Sequence, residues 1–328
     1  MPETPGSERV EYTYNRAGFA ALHPSVEPRR AGMLDVGDGH RVYWEASGNP
    51  QGKPALILHG GPGGCGTAQG RRFFSAQRYR IIAFDQRGCG RSTPLGGLRA
   101  NTTAHLLQDI EALRRHLGVD RWLLFGGSWG ATLALAYAQA HPQRVEAMVL
   151  RGVFTARAAE LRWLYQGGAA HCFPDAWACF QAPIPADERD DMPRAYARRL
   201  APGMDGEGAL AAARAWCAWE DALMPQGQAA GQDGASVLAM ARVGAHYLSR
   251  NCFLPEGGLL AAAGRLRDIP GVIVQGRYDL VTPMRTAWDL CGAWPGARLQ
   301  VVEGAGHASA EPGIMRCLVE AIDRFAGG

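Results

Sequence analysis

Ser128 lies in Gly126-Gly127-Ser128-Trp129-Gly130. The apolar run Trp122 to Phe125 before it reads as a buried strand. The Ala/Leu-rich stretch from about Ala131 to Gln139 after it reads as a helix. G-x-S-x-G between a strand and a helix is a nucleophile elbow, a sharp turn that exposes a serine hydroxyl on strained backbone. The glycines are needed because strand and helix approach too closely there for a Cβ. A serine nucleophile needs a base for its proton, and the base needs a carboxylate to fix its tautomer. Around such an elbow the chain order is serine, acid, histidine. Asp279 ends Gly276-Arg277-Tyr278-Asp279 just past one apolar run, and His307 ends Gly304-Ala305-Gly306-His307 past another. Both therefore fall on loops at the same sheet edge as Ser128. The chemistry implied is acyl transfer through a covalent intermediate.

Such an intermediate carries an oxyanion that needs donors. The backbone N–H of Trp129 is one candidate. The other is Gly61, in His59-Gly60-Gly61-Pro62-Gly63-Gly64. Those glycines do not read as a phosphate cradle, since neither G-x-x-x-x-G-K-[ST] nor a helix-opening G-x-G-x-x-G is present. Asp85 to Ser92 reads as a structural turn. His40, His105, His116 and His141 fall in turns or on helix surfaces and read as solvated.

These residues need a sheet to position them. Met33 to Val36 and Arg41 to Ala46 flank Gly37-Asp38-Gly39 and read as a hairpin. Pro54 to Leu58, Tyr79 to Phe84, Val145 to Leu150, Gly271 to Gln275 and Ala297 to Val302 read as buried strands of the parallel kind. A helix opens at Thr102 or Thr103, carries Leu106, Leu107, Ile110, Leu113 and Leu117 at helical spacing, and closes at Gly118. Strand–helix alternation predicts an α/β fold, with a mostly parallel sheet and helices on both faces. The alternation stops from 154 to 255, where Pro- and Gly-broken helical segments such as 157–165 and 209–223 replace it. The expected organisation is a core over 1–153, a helical cap over 154–255 and the rest of the core over 256–328. Residues 1–30 are expected to be a loosely held arm. An insertion over the carboxyl ends of the strands would act as a lid.

Composition narrows the function classes. Of the 328 residues, 47% are apolar, which suits a globular chain with a large core. Net charge is +3 with both signs interspersed, which argues against a nucleic-acid partner. No run approaches the ~20 apolar residues of a membrane helix, so no membrane is expected. Met1 to Arg9 has no apolar stretch of the signal-peptide kind. The eight cysteines form no C-x-x-C pair, which fits free thiols in the cytoplasm and no metal.

Taken together, the motifs at 59–64, 85–92, 126–130, 276–279 and 304–307, with Asp38-Gly39-His40 and Gly48-Asn49-Pro50, resemble the proline iminopeptidases. The resemblance runs from about Leu22 to the carboxyl end. It implies an α/β-hydrolase fold with a helical cap and a cofactor-free serine peptidase that removes amino-terminal proline. Trp216-Cys217-Ala218-Trp219-Glu220 matches the family's tryptophan–glutamate motif, so the resemblance makes Glu220 the anchor for the substrate amine. A second family glutamate lies in a segment ending His-Tyr. Here that segment is Ala241-Arg242-Val243-Gly244-Ala245-His246-Tyr247, with Gly244 in place of the acid and Tyr247 expected at the substrate. Thr282 stands where the family often has a cysteine.

The leading expectation is an aminopeptidase that releases amino-terminal proline from short peptides or arylamides. The alternative is an esterase or amidase whose cap is retuned to a non-peptide acyl group, which the loss at Gly244 favours. A silent binding protein of the same fold is disfavoured by the intact Ser128, Asp279 and His307. Homo-oligomerisation is left open.

Overall fold

The continuous apolar runs become the middle of one sheet. The computed structural model describes residues 6–16, 22–66, 68–204, 206–224 and 233–327. Its strands are β1 (Val10–Tyr14), β2 (Arg30–Gly37), β3 (His40–Gly48), β4 (Lys53–Leu58), β5 (Tyr79–Phe84), β6 (Trp122–Ser128), β7 (Val145–Val153), β8 (Gly271–Gly276) and β9 (Ala297–Glu303). They lie in the order β1-β9-β8-β7-β6-β4-β5-β3-β2. Every pairing is parallel except those of β3 with β2 and with β5. In β4 and β6 alternate residues serve opposite faces. Leu56, Leu58 and Leu124 enter one core, and Ala55, Ile57, Leu123 and Phe125 the other.

The helices are α1 (Ala68–Arg71), α2 (Thr103–His116), α3 (Trp129–Ala140), α4 (Ala158–Tyr165), α5 (Pro174–Gln181), α6 (Met192–Arg199), α7 (Glu207–Leu223), α8 (Gly234–Leu248), α9 (Gly258–Ala261), α10 (Met284–Ala293) and α11 (Pro312–Ala326). Leu106, Ile110 and Leu113 of α2 join the first core. Ile314, Leu318, Ala321 and Ile322 of α11 cover the second, at the spacing of one helix stripe. Helix α3 is buried all round from Trp129 to Gln139, which is why its sequence lacks a polar face.

Among the described residues between β7 and β8 there are helices and turns and no strand. The interior of this segment is aromatic. Phe180 stacks on Tyr196 at 4.7 Å and Tyr165 on Trp216 at 5.0 Å between centroids. Polar bonds tie the segment to the sheet domain at both ends. Arg157 pairs with Asp289 at 3.1 Å, and Thr286 donates to Glu160 at 2.9 Å. Further along, the Tyr247 hydroxyl donates to Asn101 Oδ1 at 2.7 Å.

Two expectations are corrected. The arm is not loosely held over Val10–Tyr14. Those residues form a sheet edge, parallel to β9 with Val10 opposite Leu299. Arg9 caps the end of α10 by donating to the carbonyls of Cys291 at 2.8 Å and Trp294 at 3.0 Å. The short Val-Glu-Tyr-Thr-Tyr alternation carried the strand signal, masked by the charges around it. His40 is also not solvated. It is buried, with Nε2 at 2.8 Å from the Arg99 carbonyl. His105 and His141 are half-buried, and the exposed His116 packs edge-on against Trp44.

Candidate active site

Ser128 ends β6 with φ 58° and ψ −125°, a left-handed conformation that a β-carbon makes costly. The flanking glycines allow the crossing behind it. A Cβ on Gly126 would come within 2.3 Å of the Gly130 carbonyl oxygen. One on Gly130 would come within 2.1 Å of the Leu58 carbonyl oxygen. Gly127 serves a different neighbour: a Cβ there would meet Arg151 Nη2 at 2.4 Å.

Asp279 and His307 follow β8 and β9 and meet. His307 Nδ1 lies 2.7 Å from Asp279 Oδ2, both side chains buried. An ionised carboxylate only accepts, so Nδ1–H donates and Nε2 keeps its lone pair. Asp279 is held by four further donors: the Val281 N–H, the Thr282 N–H, the Thr282 hydroxyl at 2.9 Å and Gln275 Nε2 at 3.1 Å. Burial alone would raise the Asp279 pKa, but the His307 charge and these bonds outweigh it and hold it below the ordinary value. Burial pushes His307 down, and the Arg151 charge adds to that against the pull of Asp279.

Ser128 and His307 line one cavity of about 170 Å³. Its walls are mostly apolar, with Phe154, Leu164, Leu223 and Leu248 among them. Gly60 and Gly61 close one side. Trp129 opens α3 directly after Ser128, so its N–H is one of the unpaired donors of a helix start. The Asp85–Ser92 turn braces both sides. Gln86 receives Trp129 Nε1 at 2.8 Å, and its own Nε2 donates to the His59 carbonyl at 3.1 Å. Neither Gln86 nor Thr282 was singled out for this work in the sequence, because nothing in their local pattern shows which distant groups they join.

Glu220 projects from α7 into the same cavity. The Tyr165 hydroxyl donates to it at 2.8 Å. Burial, with Asp221 nearby, raises its pKa to about 7, although the Tyr165 and Trp216 hydrogen bonds oppose the rise. Among the described residues Glu220 has no cationic partner, Arg214 included. Tyr247 is a correction. It does not line the cavity but lies behind the elbow, its ring 5.0 Å from that of Trp129. Its neighbour Leu248 reaches the cavity instead, since adjacent helix residues face different ways.

A family model described as alpha/beta hydrolase fold matches residues 53–175, and one described as TAP-like protein matches 260–326. The chain is 51% identical to a proline iminopeptidase of Xylella fastidiosa, over 93% of this chain and 99% of that one. It is 48% identical to a proline iminopeptidase of Arabidopsis thaliana, over 93% of this chain and 82% of that one. The chain belongs to the proline iminopeptidase family of α/β-hydrolases. Solved structures support the fold. An esterase from a Rhodococcus species aligns with a TM-score of 0.57 at 22% identity, covering 93% of this chain and 99% of that one. A proline iminopeptidase-related protein from Thermus thermophilus aligns with a TM-score of 0.57 at 23% identity, covering 90% and 94%.

Within the proline iminopeptidase frame, Gly244 has a definite place. It lies on α8 facing the Trp216 indole. A Cβ there would come 3.4 Å from Trp216 Nε1 and 3.3 Å from the Pro62 carbonyl oxygen. A side chain at 244 therefore enters only if one of those neighbours yields by a few tenths of an ångström. Among the described residues no group of three His, Cys, Asp or Glu side chains is placed to hold a metal. No helix among them is long and apolar enough to cross a membrane.

Proposed function

We propose that this protein is a serine aminopeptidase that releases amino-terminal proline from short peptides, without cofactor. Ser128 Oγ attacks the prolyl carbonyl while His307 Nε2 takes its proton. The N–H groups of Trp129 and Gly61 receive the oxyanion. His307 then protonates the departing amine, leaving a prolyl ester on Ser128. Water attacks that ester with His307 again as base, and proline leaves. The helical segment over 154–255 serves as the cap.

The observation that carries the proposal is Glu220. A half-buried carboxylate with no cationic partner among the described residues, lining a small apolar cavity beside a serine elbow, suits a substrate with a positive charge next to its reactive carbonyl. A prolyl amino terminus has that charge. The test compares prolyl arylamide, N-acetylprolyl arylamide and a neutral p-nitrophenyl ester. Removing one member of a buried charge pair costs ~2–5 kcal/mol. Glu220→Ala should then lower kcat/KM on prolyl arylamide at least about thirtyfold and affect the ester far less. Equal losses on both substrates, or faster turnover of the acetylated arylamide by the native enzyme, would overturn the proposal.

A further inference from the structure

The cavity around Ser128 has a neighbour. A second, more open hollow of about 280 Å³ shares Gly60, Arg151, Met224 and His307 with it, but Ser128 and Glu220 do not line it. We infer that this hollow receives the leaving group, and that Arg151 binds the carboxylate of the residue just after the scissile bond. The favoured substrates are then prolyl dipeptides with a large apolar second residue. The inference rests on the prolyl aminopeptidase reading above.

The side is set by the chemistry. His307 must reach the serine oxygen first and the leaving nitrogen second. The acyl group lies with Ser128 and Glu220 in the first cavity, so the leaving chain lies on the other side of His307. That is the side of the second hollow. Ile57, Phe73 and Phe125 line it, which suits a bulky apolar side chain.

Arg151 is placed for the other end of that residue. It stands on β7 opposite Gly127, and its guanidinium lies over that glycine where a Cβ would be. Nη1 donates to the His307 carbonyl at 2.6 Å. Among the described residues no carboxylate pairs with Arg151, and its remaining N–H groups have no acceptor. Arg151 is half-buried, and the fully buried arginines of the sheet domain are paired, as Arg87 is with Asp109 at 2.7 Å. The guanidinium lines both chambers and feels the charges of Asp279 and Glu311, but among the described residues no carboxylate lies within ion-pair distance of it. Its planar fork matches a carboxylate. In a dipeptide the carboxylate carbon is two bonds from the scissile nitrogen, and that nitrogen sits at His307. In a longer peptide the same position is a neutral amide.

The test measures kcat/KM for Pro-Leu, Pro-Leu amide, Pro-Gly and prolyl arylamide. The native enzyme should favour Pro-Leu over its amide at least about tenfold, mostly through KM, as a charge-assisted hydrogen bond implies. Leucinamide is the better leaving amine, so intrinsic reactivity works against this ratio. Pro-Leu should also exceed Pro-Gly. Arg151→Gln should bring the acid-to-amide ratio near one, and Arg151→Lys should keep part of it. A merely structural Arg151 would lower both substrates together and leave the ratio intact, which overturns the inference. So does a native ratio near one with normal prolyl arylamide turnover, a result that needs no variant to fold. Absence of prolyl arylamide turnover would instead overturn the proposed function.

Discussion

Glu220 is where function and stability oppose each other. Its pKa rises from the ordinary carboxyl range to about 7 in the folded protein. A raised carboxyl pKa favours the folded state below the unfolded value, and that contribution is lost as pH rises through the folded pKa. At pH 8 the folded protein thus holds a half-buried charge with no counter-charge among the described residues. Glu220→Gln should raise Tm at pH 8 and leave it unchanged at pH 5, while weakening turnover of prolyl substrates. An equal fall in Tm at both pH values would mean that Glu220 serves packing. The same group shapes the rate profile. For a prolyl substrate kcat/KM should climb through about 7 as Glu220 ionises. For a neutral ester the climb follows His307, whose pKa lies below its ordinary value, so it should come at lower pH. Coincident limbs would refute the role of Glu220. At this scale the sequence was readable where a residue sits in a glycine-rich turn after an apolar run, as Ser128, Asp279 and His307 do. It did not show what Thr282, Gln86 and Arg151 bond to, because those partners are set by how the turns and strands fold together. Tyr247 was misread because a neighbouring motif placed it near the site while the helix turn faced it inward.

Elements hold the site through close backbone approach. Strand β6 and helix α3 cross so near that a methyl on Gly126 has no room beside the Gly130 carbonyl. Overpacking of this kind costs about 1–3 kcal/mol. Gly126→Ala should lower Tm by several degrees and displace Ser128, with kcat falling more than KM changes. Native Tm and kcat in that variant would show that the crossing has slack. The apolar runs of β4, β5, β6 and β7 were legible because strands buried on both faces cannot carry polar residues. β1 was not, because an edge strand keeps one exposed face and its five residues looked like a polar tail. The bonds that tie the helical segment down were also hidden. Arg157 to Asp289 and Tyr247 to Asn101 join positions far apart in sequence, and no spacing rule links them.

For the whole molecule, alternating strands and helices pointed to a mostly parallel α/β sheet and the family resemblance to a hydrolase fold, and the observed strand order and family membership agree. What local patterns could not convey is closure. β1 lies beside β9 at the sheet edge. Asn15 then donates to the Gly304 carbonyl across 289 residues and also to Glu311, which accepts from the backbone N–H groups of Gly306 and Ala308 on either side of His307. Deleting residues 1–16 should therefore lower activity as well as Tm, by loosening the His307 loop. A truncated enzyme with native kcat would show that the loop stands alone. The same pairing bears on synthesis at the ribosome. Strand β1 finds its partner only once synthesis has passed β9. Until then β1 has no partner strand. Chains stalled before Ala297 should thus lack hydrolytic activity and expose Val10–Tyr14 to protease.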